Sequence, residues 1–532
     1  MSQKQHPIRT QTIQQAEALI GLNFTPAERD SLLDEAKEHL KSFETLRAQA
    51  LPNAMPPALH FHPIPVGFQF SPHQNPISFG PPAHTDVPAN EAELAFYSVR
   101  DLGELIRTKK MTATQLTQLY LKRLKTYGPE LECVITLTEE LALAQAKRAD
   151  EEIAAGKYRW PLHGIPYGAK DLLATKGYKT TWGATPYKEQ IIDQDATVIQ
   201  KLETAGAILV AKLTLGALAW GDVWYGGTTR NPHDLKQGSS GSSAGSASAT
   251  SAGLVAFAIG SETWGSIVSP ATRCGVTGLR PTFGRVSRTG AMTLSWSMDK
   301  LGPICRTVED AAIVFDALRG GDGIDQTVVD APFNYTPQID IKSLRIGYVQ
   351  SLFEDKEKTT KTDLATLDAI KNLGVKPIPI TLPDAPIEAL SFILSAEAAA
   401  AFDDLTRTNR DDLLTRQIKN AWPNVFRAAR FIPAVEYIQA NRLRYQLIQD
   451  MQQIMQDIDV YIVPSFGGNN LLLTNLTGHP CVTLPNGFDE TGHPLSISFI
   501  GRLFDEATLL AVAHQYQVAT TFHLQHPVRY RK

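Results

Sequence analysis

The chain has 532 residues, 43% hydrophobic and 20% charged, close to the averages of globular proteins, so a disordered or fibrous chain is excluded. A formal net charge of −4 argues against a general nucleic-acid or membrane-surface binder, which needs a net basic field. Cys133, Cys274, Cys305 and Cys481 are scattered with no C-x-x-C pair, so neither a disulfide framework nor a zinc knuckle is indicated.

In chain order, Met1-Ser-Gln-Lys-Gln-His6 leads into polar residues and lacks the apolar core of a signal peptide. The longest apolar run, around 252–259, falls far short of the ~20 residues that span a bilayer. A cytoplasmic location is the expectation. Thr25-Pro-Ala-Glu28 predicts a helix start, with Thr25 as cap, Pro26 at the first helical position and Glu28 closing a capping box. Leu32, Leu33, Ala36, Leu40 and Phe43 then recur at helical spacing. Ten of the chain's 33 prolines stand between Leu51 and Asn90, which predicts an extended stretch. Its Ile64, Val66, Phe68, Phe70, Ile77 and Phe79 favour a path along the main domain over a free linker.

From Ser98 the pattern becomes regular. Ser98-Val-Arg-Asp101 and Thr112-Ala-Thr-Gln115 read as capping boxes that open amphipathic helices, and a third helix is predicted over about 139–155. Residues 410–456 read as helical and rich in Arg and Gln. Short β-rich runs at 207–211, 344–349, 459–463, 481–484 and 495–500 alternate with helical ones. Such alternation predicts an α/β fold with a mixed, mostly parallel sheet covered by helices on both faces.

The segment Gly238-Ser-Ser-Gly-Ser-Ser-Ala-Gly-Ser-Ala-Ser-Ala249 has the composition of a flexible linker. The chain continues at once into an apolar run at 252–260, however, and small residues beside a core strand allow close backbone approach. Within it, Gly241-Ser-Ser-Ala-Gly245 matches the G-x-S-x-G nucleophile elbow, but that motif needs an apolar strand before it. Here Asn231-Pro-His-Asp-Leu-Lys-Gln237 precedes it, so the elbow reading fails.

Three segments taken together read better: His163-Gly-Ile-Pro-Tyr-Gly-Ala-Lys170-Asp171, Ser240-Gly-Ser-Ser-Ala-Gly-Ser246 and Gly260-Ser-Glu-Thr-Trp-Gly-Ser266-Ile267. In this order the sequence resembles the amidase signature hydrolases. The resemblance continues through Cys274-Gly-Val-Thr-Gly-Leu-Arg280, Met298-Asp-Lys-Leu-Gly-Pro303 and Arg306-Thr-Val-Glu-Asp310 to Asn475-Leu-Thr-Gly-His-Pro480. It implies the amidase signature fold: one large catalytic domain over 91–532, preceded by a helical and Pro-rich extension over 1–90.

It also implies a Ser–cis-Ser–Lys triad without histidine. Ser266 matches the nucleophile and Lys170 the base. Ser242 takes the place of the bridging serine, and Ser240 and Ser243 stay open as alternatives. Thr263, Trp264, Gly265 and Ser266 match the loop whose amides face the oxyanion, and Gly241 and Ser243 go with them as substrate-binding residues. The chemistry is coherent: a serine hydroxyl needs a neighbour to take its proton. A lysine does so only when desolvation or nearby positive charge depresses its pKa from ~10.4.

Taken singly, these residues read more plainly. A lone lysine is usually a surface charge, and a lone serine is usually a helix cap. Asp299 and Asp310 read as structural, and His233 and His479 as hydrogen-bonded loop residues. No metal and no cofactor is expected, and His60-Phe-His62 has no further ligand near it in sequence.

The chain departs from the family at Trp264, where many members have a small residue, and at Val268, where many have arginine. The expected activity is hydrolysis of a small or non-peptide carboxylic amide through an acyl-serine intermediate. The alternatives are a glutaminase-like amidotransferase subunit within a complex and an esterase or carbamate hydrolase of the same family. The added N-terminal segment favours a stand-alone amidase. The expected partner is a small-molecule amide, with no nucleic acid and no membrane; a homodimer is left open.

Overall fold

The structure is a computed structural model and describes residues 8–49, 51–159, 161–355 and 357–532. The polar hexapeptide Met1 to His6 lies outside the described residues. Eleven strands hydrogen-bond into one sheet: β1 Val134–Leu137, β2 Pro166–Lys170, β3 Ile208–Leu213, β4 Phe257–Glu262, β5 Thr277–Arg280, β6 Lys300–Cys305, β7 Ile346–Val349, β8 Ile378–Ile380, β9 Val460–Pro464, β10 Cys481–Phe488 and β11 Pro494–Gly501. Their order across the sheet is β1-β3-β2-β4-β6-β5-β10-β11-β9-β7-β8.

The sheet is mixed, as expected, but parallel pairing does not predominate. It is confined to β3–β2–β4 on one flank and β9–β7–β8 on the other. The six remaining ladders are antiparallel. One cause is local. Residues 489–493 join β10 to β11, with Asp489 N–H donating to His493 O at 2.9 Å, and so short a loop permits only antiparallel strands.

Side chains alternate between the faces of the sheet. Leu209, Phe257, Ile259, Val460, Ile462, Val482 and Phe499 enter one core with helices α3 (Val99–Arg107), α8 (Val308–Leu318) and α11 (Glu506–Thr520). Their neighbours face the other way. Val210 and Ala258 meet helix α5 (Glu139–Ala154), while Tyr461, Val463 and Ile500 meet helix α9 (Ala434–Gln456). Helices therefore cover both faces. Residues 410–456 are broken rather than continuously helical: a 3-10 turn at Arg410–Leu413 and a helix at Trp422–Ala429 precede α9, whose N-cap is Pro433.

The N-terminal segment opens with helices α1 (Thr10–Ile20) and α2 (Pro26–Arg47). The Thr25–Glu28 capping box forms, and Arg29 pairs with Glu17 of α1 at 2.7 Å. The apolar stripe of α2 stays partly in water, with Leu32 and Phe43 exposed. The Pro-rich stretch follows the main body, as its apolar residues suggested. Pro63 and Pro65 are buried, the Phe61 ring meets Phe283 edge-on at 4.9 Å, and Ser78 N–H donates to Tyr335 O at 3.0 Å.

Thr112 and Gln115 form a complete capping box at helix α4 (Ala113–Leu131). At α3 only half of the expected box exists. Ser98 Oγ accepts Asp101 N–H, but the Asp101 carboxylate accepts Ala83 N–H at 2.7 Å and His84 N–H at 3.0 Å, which ties the Pro-rich stretch to α3.

Candidate active site

The Gly/Ser segment is not a linker. It enters along the ribbon strand Asp234–Gly238, turns through a cis Gly241-Ser242 peptide and becomes the buried helix α6 (Ala244–Ser251). Its glycines are required by close approach. A Cβ on Gly241 would strike Gly221 O, and one on Gly245 would strike Cys133 O and Thr214 N. The preceding strand belongs to a two-stranded ribbon outside the main sheet. This agrees with the failure of the elbow reading.

Lys170 ends β2 and is fully buried. Its Nζ lies 2.8 Å from Ser242 Oγ, 3.0 Å from Ser243 Oγ and 2.9 Å from Ser261 Oγ, the last on the neighbouring strand β4. Burial drives its pKa well below that of an ordinary lysine, although Asp299 and Glu262 pull the other way. An amine so placed holds its proton less tightly than an ordinary lysine, and in its neutral form it can take a proton from a hydroxyl.

The three candidate serines of the turn differ in what their hydroxyls do. Ser240 Oγ pairs with Ser269 Oγ at 2.7 Å, apart from Lys170. Ser243 Oγ donates to Ser261 O at 3.0 Å and accepts Ser261 N–H at 3.1 Å, so its hydrogen is committed. For Ser242 Oγ, Lys170 Nζ is the one hydrogen-bond partner among the described residues. Ser243 Oγ thus helps to hold the lysine, and Gly241 packs against the Gly221 backbone.

Ser266 sits beside this cluster, 9% exposed, and its carbonyl accepts Ser243 N–H at 3.1 Å. The loop before it is held from both ends. Glu262, at the end of β4, accepts Ile267 N–H at 2.8 Å and Val268 N–H at 3.0 Å through one oxygen. Its other oxygen accepts Arg280 Nη1 at 2.8 Å and Asn475 Nδ2 at 2.9 Å. Burial alone would raise the Glu262 pKa, but Arg280, Lys300 and these donors outweigh it and hold it at about 2.

Thr263 Oγ1 donates to Asp299 Oδ1, and Asp299 Oδ2 accepts Leu294 N–H and Ser295 N–H. Asp299 is therefore structural, as read from the sequence, and burial raises its pKa. Gly265 has a φ of +84°, which favours glycine. Among the described residues, the backbone N–H groups of Thr263, Trp264, Gly265 and Ser266 donate no hydrogen bond. Trp264 is 43% exposed and so lies at the surface, while Val268 is buried in the core.

His479 is buried, with Nδ1 2.8 Å from Thr477 Oγ1, and His233 packs against Phe488. Asp310 is fully buried, and burial raises its pKa to about 7. Sequence reasoning missed Ser261. A serine inside an apolar strand gives no local sign that it touches the lysine of the next strand.

The profile of the Amidase family matches residues 115–473, and the chain belongs to that family, the amidase signature enzymes. It is an enzyme of amide C–N bonds, a hydrolase or an amidotransferase. A glutamyl-tRNA(Gln) amidotransferase subunit from Geobacillus stearothermophilus is 33% identical over 480 residues, which cover 81% of this chain and 99% of the relative. The peptide amidase of Stenotrophomonas maltophilia superposes with a TM-score of 0.72 at 29% identity, over 80% of this chain and 97% of its own. A protein from a vestigial complex related to an s-triazine catabolic enzyme superposes equally well, with a TM-score of 0.72 and 28% identity over 79% and 98%. No described helix is long and apolar enough to cross a membrane.

Proposed function

We propose that the chain hydrolyses a small, uncharged carboxylic amide through an acyl-Ser266 intermediate. The observation that carries this reading is the buried Lys170 amine, 2.8 Å from a Ser242 hydroxyl whose hydrogen is uncommitted. Ser266 Oγ attacks the carbonyl carbon, its proton passes to Ser242, and the Ser242 proton passes to Lys170. The carbonyl oxygen becomes an oxyanion facing the free amides of the 263–266 loop. Such preorganised donors contribute about 3 kcal/mol each when they meet developing charge. Collapse breaks the C–N bond, and the amine leaves with the proton returned through Ser242. Water then attacks the ester by the same route and releases the acid and free Ser266.

Ser266→Ala should lose turnover of a panel of aryl and alkyl amides by at least about a thousand-fold, as nucleophile removal does elsewhere. It should also lose covalent labelling by a fluorophosphonate. Retained turnover would remove Ser266 from the mechanism.

A second reading has one specific observation behind it, the 33% identity to an amidotransferase subunit. There the chain acts on an amide inside a complex and passes on the ammonia. Purified alone, it should then turn over poorly, and a pull-down should recover partner proteins. Efficient amide turnover by the isolated chain favours the first reading. Esterase activity on matched esters is expected alongside it, since the same acyl-enzyme forms.

A further inference from the structure

Asn53, Pro57 and Leu59 belong to the Pro-rich stretch, well outside the matched family region of 115–473, yet Pro57 and Leu59 line a cavity together with Ser261, which touches Lys170, and Thr263. We infer that residues 53–60 form a wall of the reaction chamber and fix the size of the amide group it admits. This rests on the reading of Ser266 and Lys170 given above.

A cavity of about 310 Å³ adjoins the lysine cluster. Ser261, Thr263 and Asp299 line one side of it, and Ala54, Pro56, Pro57, Leu59 and His60 line the other. Across the same stretch lies a wider groove of about 950 Å³, where Pro57, Leu59 and His60 recur opposite Tyr437 and Ile438 of α9. The stretch is therefore a partition with a chamber on one side and an open groove on the other.

The partition is pinned at both ends. Asn53 Nδ2 donates to Thr293 O at 2.9 Å and to Ala401 O at 3.3 Å, and its Oδ1 accepts Thr293 N–H at 2.8 Å. At the far end the Phe61 ring lies under the Arg444 guanidinium at 3.6 Å and against Phe283. Between these anchors the chain is exposed, Leu59 at 86%. Pro52, Pro56 and Pro57 fix φ and remove much of the entropy that a loose strap would have. A stiff, doubly anchored wall defines a chamber better than a free loop does.

The size and lining of the chamber specify what it takes. Leu172, Met292, Leu294 and Leu301 give it an apolar surface. Of the charged side chains in its lining, Arg288 and Asp325 pair at 3.1 Å, and the Asp299 carboxylate accepts Thr263 Oγ1, Leu294 N–H and Ser295 N–H. An engineered apolar cavity of about 150 Å³ accepts benzene. The chamber therefore suits an uncharged group of one ring with a short chain.

The test compares the rates at which a short-chain and an aryl-bearing fluorophosphonate label Ser266. Ala54→Trp, which fills the chamber, should slow the aryl probe by about ten-fold or more relative to the short one. Leu59→Ala and Asn53→Ala should shift that ratio the opposite way. Equal effects on both probes in all three variants would overturn the inference and leave the site reading intact. A wild-type chain labelled by neither probe at Ser266 would overturn the site reading, and this inference with it.

Discussion

Lys170 is held by three hydroxyls, those of Ser242, Ser243 and Ser261, and is fully buried. Burial is the first cause of its depressed pKa, and the carboxylates Asp299 and Glu262 oppose it only in part. The sign of the pH effect follows. A base must be neutral, so activity is present above the depressed pKa and is lost as pH falls through it. We expect kcat/KM to decline on the acid side with the slope of a single protonation, and with no acid-side histidine contribution. Lys170→Ala should cost about 10²- to 10⁴-fold in kcat/KM, the usual worth of general base catalysis, and should remove the acid limb. A pH profile of both proteins checks this. An unchanged limb in the variant would assign it to another group.

At this scale the sequence points to Lys170, Ser242 and Ser266 because each stands in a short ordered motif, and the fold brings Lys170 within 2.8 Å of Ser242 Oγ. The sequence is silent on Ser261 and on the double grip of Glu262. Both depend on which strands become neighbours: β2 lies beside β4, and Arg280 of β5 reaches back to Glu262.

Among the elements, α6 is the one whose sequence argues most against its structure. Ala244-Gly-Ser-Ala-Ser-Ala-Thr-Ser251 has glycine and serines of modest helix propensity, and its composition equally suits a linker. Packing decides the outcome. All eight residues are buried, and Ser246 Oγ donates to Ile259 O of β4 at 3.0 Å. Only small side chains let the helix approach the sheet so closely, and this brings Ser242 and Ser243 over Lys170. Gly245 is its tightest point.

Gly245→Ala would press a methyl group into the Cys133 and Thr214 backbone, which cannot rotate away as a side chain can. Overpacking of this kind costs roughly 1–3 kcal/mol. A lower denaturation midpoint together with slower fluorophosphonate labelling of Ser266 is the expected pair of results. A loss of stability at an unchanged labelling rate would show that α6 does not position the serines. The capping signals at Thr25 and Thr112 were legible because a cap is local, whereas the half-box at Ser98 was misread because Asp101 serves a chain segment far from its own helix.

Across the whole molecule, a single sheet separates two apolar layers, and long-range contacts close each layer. Strand order and direction were the least legible feature. Alternating β-rich and helical runs are compatible with several pairings, and the antiparallel centre depends on partners hundreds of residues apart, such as β10 with β5.

The layer around Val210 and Ala258 is closed by the last turn of the chain. Tyr530 is fully buried there and meets the Tyr127 ring edge-on at 5.2 Å. Its carbonyl accepts Arg123 Nη2 at 2.8 Å, while Arg123 also donates to Gly253 O and Ala252 O just after α6. Arg529 pairs with Glu130 of α4 on the outside, an exposed contact worth little by itself. The ring is therefore the part that matters. Tyr530→Ala should cost about 3–5 kcal/mol, the usual range for deleting a buried aromatic side chain. Urea unfolding should show a lower midpoint with an unchanged slope, since the surface exposed on unfolding stays nearly the same. Because the Arg123 bonds run to backbone atoms that the substitution leaves in place, α6 should keep its position. Labelling of Ser266 should then proceed at the wild-type rate under conditions where the variant is folded. A slowed rate in the folded variant would mean that the C-terminal turn also sets the geometry of the serines.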